Sequence, residues 1–500
     1  MILSSRRSTH NVKRFVGRRG CGLISSNAGA YSHSMSQTAL DDLLNSIAWT
    51  EPKGGDLEIR GDDPVLPTRF RVGRAGAAAI AASALAAAKL FTLRAGRNQR
   101  QKIAVDLRHA VAALRSTRYL RVDGALPKDA FDPIGGLYQA GDRRWVFLHC
   151  NFPNHRAAAL SVLGLPPNAD RNAVLDAVRD WDGLPLEEAV HAALGCAGLV
   201  RTPDEWSQHP QSAAVASLPL LEIERIGEAP PETMPTADRP LSHIRVLDLT
   251  RVLAGPTCAR TLAEYGADVL KVSGAHLPHS GDIEIDTGLG KLSTFLDLRG
   301  AADLETLISL IRDGRCDVFS QSYRPGALAG CGLSVEALAM LRPGIVYVDL
   351  SAWGRAGPWA QRRGFDTVVQ CASGMATIQG GAETPRIMPV SAIDYVSGYL
   401  MAFGAMVALA RRAHEGGSWR VRVSLARTGK WIVDGGLLDV AAIAGVPNEL
   451  PEEEIARLTM ETPSPLGSIR HLAPVAQMSE TPARWARPPV PLGHNQAAWP

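Results

Sequence analysis

From residue 244 onward, short apolar runs alternate with longer stretches in which apolar residues recur every three or four positions. IRVLDL (244–249), ADVLKV (267–272), CDVFSQS (316–322) and IVYVDL (345–350) predict buried strands bounded by turns. Between them the pattern predicts helices. Pro256 opens one that runs through Tyr265 and stops at Gly266, and two more cover 301–312 and 334–341. Strands alternating with helices imply a parallel sheet covered on both faces, an α/β fold. In such sheets ligands sit beyond the carboxyl ends of the strands. The loops TRVLAGP, SYRPG and SAWGRAGP follow three of the strands and fall on that rim.

The most apolar window, AGAAAIAASALAAAKLF (75–91), is mostly alanine and carries Lys89. It is shorter than the ~20 residues of a membrane span. It predicts a buried helix of a soluble protein, with no membrane partner. The stretch QKIAVDLRHAVAAL (101–114) resembles WRVRVSLARTGKWI (419–432), each following a small-residue helix that begins near Gly76 or Gly398. The two parts share one ancestral unit. On that alignment Asp394 faces about Val72. GEAPPETMPTADRPL (227–241) holds four prolines and reads as an extended linker. The expected division is an arm at 1–40, an N-terminal region at 41–226, the linker, an α/β domain at 242–432 and a Pro-rich tail at 433–500. The arm carries six Lys or Arg and no acid. It fits a mitochondrial transit peptide, or an untidy start ahead of Met35. The expected location is the cytoplasm, with the mitochondrial matrix as the alternative.

Composition narrows the chemistry. Hydrophobic residues at 46% and charged residues at 21% exclude a disordered or fibrous chain. A net charge of +3 makes no demand for nucleic acid. The seven cysteines are scattered without a CxxC, which argues for a reducing compartment and against a zinc ribbon. No GxxxxGK[ST], HExxH or nucleophile elbow is present, and His276, His279 and Asp282 have poor metal spacing. No metal is expected.

RVLDLTRVLAGPTCARTLAEYGADVLKV (245–272) resembles the opening of the class III CoA-transferases, the CaiB/BaiF family. The resemblance continues through GKLSTFLDL (290–298), DVFSQSYRPGALAGCGLS (317–334), LRPGIVYVDLSAWGRAGP (341–358), GFDTVVQCASGM (364–375) and SAIDYVSGYLMAFGAMVALARR (391–412). Residues 75–225 resemble the later part of the family chain, including a small-domain start at RWVFLHCNFPNHRAAALSVLGLP (144–166). The order is therefore that of a trimmed tandem duplication or a permuted unit. The resemblance implies a Rossmann-like parallel-sheet domain plus a smaller α+β domain, and a homodimer. It implies transfer of coenzyme A from an acyl-CoA donor to a carboxylate acceptor.

In that chemistry an aspartate attacks the thioester, forming a mixed anhydride and then an aspartyl-CoA thioester. The matching residue is Asp394. On position alone it also fits a helix N-cap. The resemblance places CoA on Arg251, Val252, Leu253 and Ala254, and on Lys291, Ser322, Tyr323, Arg324 and Arg363. A surface charge or a core aromatic is the plain alternative for several of these. Gly290-Lys291-Leu292-Ser293 and Ser322 depart from the family pattern and thin the CoA cradle. The alternative is thus a catalytically silent paralogue acting as a binding or regulatory partner. The related racemases carry a His–Asp pair where this chain has Phe365-Asp366, and phenylalanine carries no proton. Asp366 either orients groups near Asp394 or caps a turn.

Overall fold

Alanine and glycine set the course of the first half. The structure, a computed structural model, describes residues 35–49, 57–95, 100–127 and 131–500. The transit-peptide reading falls on residues 1–34, outside those described. Helix α1 (Met35–Ser46) and strand β1 (Leu57–Arg60) lead into α2 (Val72–Ala95), whose small side chains are nearly all buried. Strand β2 (Ile103–Asp106) lies parallel to β1, and Asp106 caps α3 (Leu107–Ala113) by accepting from the His109 N–H. After the short β3 (Arg121–Val122), strands β4 (Gly136–Gln139), β5 (Trp145–Leu148) and β6 (Ala197–Leu199) make an antiparallel sheet. Helices α4 (Pro153–Val162), α5 (Arg171–Val178) and α6 (Gly183–Ala192) pack on it around a separate apolar core. This is the smaller α+β domain. Helices α7 (Pro203–Gln208) and α8 (Pro210–Ala216) then deliver β7 (Glu222–Gly227) to a larger sheet.

In the second half β8 (Arg245–Leu249), α9 (Ala254–Glu264), β9 (Asp268–Ser273), α10 (Asp282–Thr287) and β10 (Lys291–Phe295) follow one another. The chain returns through α11 (Ala301–Arg312) to β11 (Val318–Gln321), α12 (Val335–Leu341) and β12 (Val346–Ser351). Helices α13 (Asp366–Ala372) and α14 (Met375–Gly380) precede α15 (Ala392–Glu415), which runs into β13 (Ser418–Ser424) and α16 (Leu425–Asp434). The strands lie in the order β10-β9-β8-β11-β12-β13-β7, all parallel except β7, which pairs antiparallel with β13. Helix α9 starts at Ala254, two residues before the expected Pro256. Because β8 to β10 build outward in one direction and β11 to β13 in the other, a crevice opens between β8 and β11. Such a reversal point is where open parallel sheets bind ligands.

The long helices α2 and α15 pack against each other at the centre. Each is long and apolar enough to cross a membrane by composition alone, and each is mostly buried here in protein. Both have 24 residues and both lead through a strand into a short helix. Counted from the helix starts, Asp394 corresponds to Arg74, not Val72. The local hydrogen bonds agree. Asp63 accepts from the Gly73 and Arg74 N–H groups at 3.0 and 2.9 Å, as Asp366 does from the Asp394 N–H at 3.0 Å.

Residues 34–500 form one compact unit. Within it the 227–241 segment is pinned down: Arg94 donates to the carbonyls of Pro235 and Pro240 at 2.8 and 2.7 Å, and Glu232 pairs with Arg342. The region expected as a Pro-rich tail is more structured than its prolines suggest. It holds α17 (Val440–Ile443), α18 (Glu452–Leu458) and the hairpin β14 (Thr459–Ser464)–β15 (Gly467–Leu472), which pairs with β3. Strand β16 (Gln477–Met478) pairs with β2. Beyond it the chain lies over the large sheet, with Trp485 donating to the Arg260 carbonyl and Asn495 accepting from the Ser293 N–H.

Residues 242–500 alone would expose the face of α15 that α2 covers. That fragment is expected to aggregate, and co-expression with residues 35–241 to restore solubility, read by size-exclusion chromatography. A soluble, monodisperse 242–500 fragment would contradict this account of the core.

Candidate functional site

The loop after β8 is built under strain. Val252 has a φ of +68°, a conformation that a β-branched residue rarely adopts. What holds it is close packing on both sides. A side chain at Gly255 would collide with Thr250, so the chain turns directly into α9. The Arg251 N–H donates to Ser322 Oγ at 3.2 Å, which ties this loop to the one after β11. The Arg251 guanidinium donates to the Pro278 carbonyl at 2.6 Å and lies 5.0 Å from the Phe152 ring.

These loops open onto a cavity of about 330 Å³ at the sheet's reversal point. Arg251, Val252, Leu253, Ala254, Ser322, Tyr323, Arg324, Arg363 and Asp394 all line it. Nine of the ten residues expected from sequence are thus brought together. Lys291 is not among them. It is 2% exposed, and its ammonium donates to Asp248 at 2.7 Å and to the Pro256 carbonyl at 2.9 Å. Burial lowers Lys291 to about 8 against the pull of Asp248. Burial likewise pushes Asp248 up, but Lys291 and Lys271 more than offset it and leave its carboxyl below its ordinary value. Lys291 therefore braces the floor of the loop from inside the sheet.

Asp394 sits in the first turn of α15 and is 7% exposed. It does not cap its helix. Asp366, from α13, accepts from the Asp394 N–H at 3.0 Å, from the Ile393 N–H and from the Gln370 amide. Burial raises Asp366 to about 6 against those hydrogen bonds. Burial, together with the Asp366 charge, raises Asp394 well above the usual carboxylate range. Among the described residues no hydrogen bond to its carboxylate pulls it back. Of the two sequence readings of Asp366, the orienting role is the one the contacts describe.

The cavity is cationic, lined by Arg251, Arg324, Arg362 and Arg363. Arg362 pairs with Glu188 at 2.9 Å. Among the described residues Arg324 and Arg363 have no carboxylate partner, so they are free to meet an anion. An adjoining cavity of about 370 Å³ shares Tyr323, Arg324, Pro325 and Leu350 with the first. Ser351 and Ala360 are common to both cavities as well. Among the described residues no group of three His, Cys, Asp or Glu is placed to hold a metal ion.

The small domain forms one wall, as a trimmed tandem whose 144–225 region closes over the site requires, but which of its residues face the cavity is not legible from the sequence. Phe152, Asn154 and His155 line the cavity from α4 and its N-terminal turn. Phe365 stacks on His149 with ring centroids 3.8 Å apart. The aromatic and histidine content of HCNFPNHR was the only available signal, and nothing in it specifies a contact with residue 365.

Residues 241–462 match CoA-transferase family III. That stretch is a little under half of the chain and contains Arg251, Tyr323, Arg324, Arg363 and Asp394 of the cavity wall. The acetyl-coenzyme A transferase nodX of Hypoxylon pulicicidum is 30% identical over 325 residues, covering 60% of this chain and 54% of that protein. The succinyl-CoA:glutarate CoA-transferase of Mus musculus is 32% identical over 185 residues, 34% of this chain and 41% of that protein. A solved CaiB/BaiF family protein from Brucella suis is 26% identical with a TM-score of 0.35, over 39% of this chain and 55% of its own. The chain spans about half the length of the curated relatives it matches.

The placement of Lys291 carries a stability prediction. Asp248→Asn leaves the buried Lys291 ammonium without its carboxylate, an arrangement that costs about 3–5 kcal/mol. Urea denaturation is expected to show a loss of this order. A change under about 1 kcal/mol would return Lys291 to the role of a solvated ligand contact.

Proposed function

We propose that the chain is an acyl-CoA:carboxylate CoA-transferase with Asp394 as nucleophile. The observation that carries this reading is a buried carboxyl, without a hydrogen-bond donor, at the wall of an arginine-lined cavity. A carboxylate that accepts few hydrogen bonds is a strong nucleophile once ionised. Asp394 attacks the thioester carbonyl, the C–S bond breaks, and an acyl-aspartyl anhydride and CoA thiolate result. The thiolate then attacks the aspartyl carbonyl, releasing the first acid and leaving an aspartyl-CoA thioester. The acceptor carboxylate repeats the exchange in reverse and departs as its CoA thioester. Arg324 and Arg363 supply cations for the phosphates of CoA and for the free acid, and the adjoining cavities give an extended molecule room.

Asp394→Asn preserves size and removes the attacking pair. Transfer from a panel of acyl-CoA donors is expected to fall below roughly one-thousandth of wild type, with CoA affinity nearly unchanged. Mass spectrometry of wild type treated with acyl-CoA and hydroxylamine should locate the modification at Asp394. An Asn variant that retains substantial turnover, with deamidation excluded, would remove the mechanism.

Attack requires the ionised form of Asp394, and the neighbouring Asp366 charge opposes ionisation. Asp366→Asn removes that charge while leaving an oxygen to accept the Asp394 N–H. The acid limb of the pH–rate profile is therefore expected to move to lower pH. An unmoved limb would show that the two carboxyls do not interact.

A further inference from the structure

The small domain contributes a ring that the reaction described above leaves without a task. His155 lies in α4, is 6% exposed, and lines the same cavity as Asp394. Phe152, Phe365 and His149 surround it at centroid distances of 5.5, 5.7 and 5.9 Å. Burial lowers its pKa to about 4, and the charges of Arg363 and Arg251 add to the effect. At neutral pH the ring is therefore uncharged.

A neutral imidazole carries one N–H. Nδ1 of His155 is sealed from water and has no hydrogen-bond partner among the described residues. Buried N–H groups without partners are rarer than buried lone pairs without partners. The proton therefore belongs on Nε2, the nitrogen left to serve the cavity. A charged ring would pair with a buried aspartate and quench it. A neutral one leaves the aspartate free and still offers a donor.

We infer that His155 is a further catalytic residue, whose Nε2–H donates to the acyl carbonyl oxygen as Asp394 attacks. This rests on Asp394 being the nucleophile. In the step, the Asp394 oxygen bonds to the carbonyl carbon and the C=O π pair moves onto oxygen, which accepts the hydrogen bond. The oxyanion collapses, the C–S bond breaks and CoA leaves as thiolate. No proton changes hands. Arg324 and Arg363 meet charges the substrate carries permanently, whereas His155 meets one that exists only in the transition state.

The test uses the full-length protein with acetyl-CoA and succinyl-CoA as probes and hydroxylamine as trap. It compares the rate of Asp394 modification in wild type, His155→Ala, His155→Phe and His155→Gln. Free CoA affinity is measured for each by calorimetry. Ala and Phe are expected to slow modification about 10²–10³-fold, as loss of an oxyanion donor does. CoA affinity should stay within about threefold of wild type, since the lost contact is absent from the ground state. Gln retains an N–H and should recover part of the rate. Modification at the wild-type rate in Ala or Phe overturns the inference. So does a Gln variant no faster than Phe, or a loss of CoA affinity that matches the loss of rate, because either reduces His155 to a packing role. If wild type is modified by neither probe, or at a residue other than Asp394, the proposed function fails first and this inference falls with it.

Discussion

The approach of α15 to the start of α9 is the contact on which the site depends. Gly398 lies so close to the Ala254 carbonyl and to Thr257 that a side chain there would have no room. With no side chain between them, the two backbones touch. Asp394, one turn earlier in the same helix, is thereby fixed beside residues 251–254. The strain at Val252 persists because the loop is clamped twice, by α15 from behind and by Ser322 from across the crevice. The strain at Val252 and the position of Asp394 both follow from one missing side chain.

The same logic explains the alanine-rich α2. It packs along α15, and only small residues allow two helices to lie this close while α15 also covers the sheet. The first half keeps the architecture of the second and has changed its chemistry. Asp63 holds the start of α2 as Asp366 holds the start of α15, but Arg74 occupies the place of Asp394. Arg74 is 7% exposed and pairs with Asp62 at 2.7 Å, so a salt bridge stands where the second half has the buried Asp394. Below it, Ser116 of the first half donates to Asp286 at 2.6 Å beside the Arg260–Asp286 pair, also 2.6 Å, and Tyr395 lies 3.1 Å from the same hydroxyl. Tyr395, the residue after Asp394, is thus held by a side chain from the first half.

The readable parts of the sequence were those in which local pattern and tertiary role coincide. Each strand run became a strand because a buried parallel strand must be apolar on both faces. The helix at 301–312 was read to the residue. The loops at the strand ends carried the site because topology put them there. Lys291 failed because one lysine reads the same whether it faces solvent or a buried Asp248, and only the register of β10 on β9 decides. His155 failed for a related reason: 239 residues separate it from Asp394, and periodicity says nothing about which distant surfaces meet. In the tail, prolines masked a hairpin because its pairing partner, β3, lies more than 300 residues upstream.

What remains is why a helix start, so favourable to carboxylates, should hold one with a raised pKa. Helix N-termini stabilise an anion through free N–H groups and the dipole. Here Asp366 claims the Ile393 and Asp394 N–H groups, and Asp394 accepts from none. The cap that would stabilise the Asp394 carboxylate has been given to its neighbour. An aspartate that accepted those N–H bonds would be fully ionised and weakly nucleophilic, because the bonds that stabilise charge also blunt its attack. By assigning hydrogen bonds to one carboxyl and burial to the other, the fold separates holding the helix from doing the chemistry. A single acid could not do both.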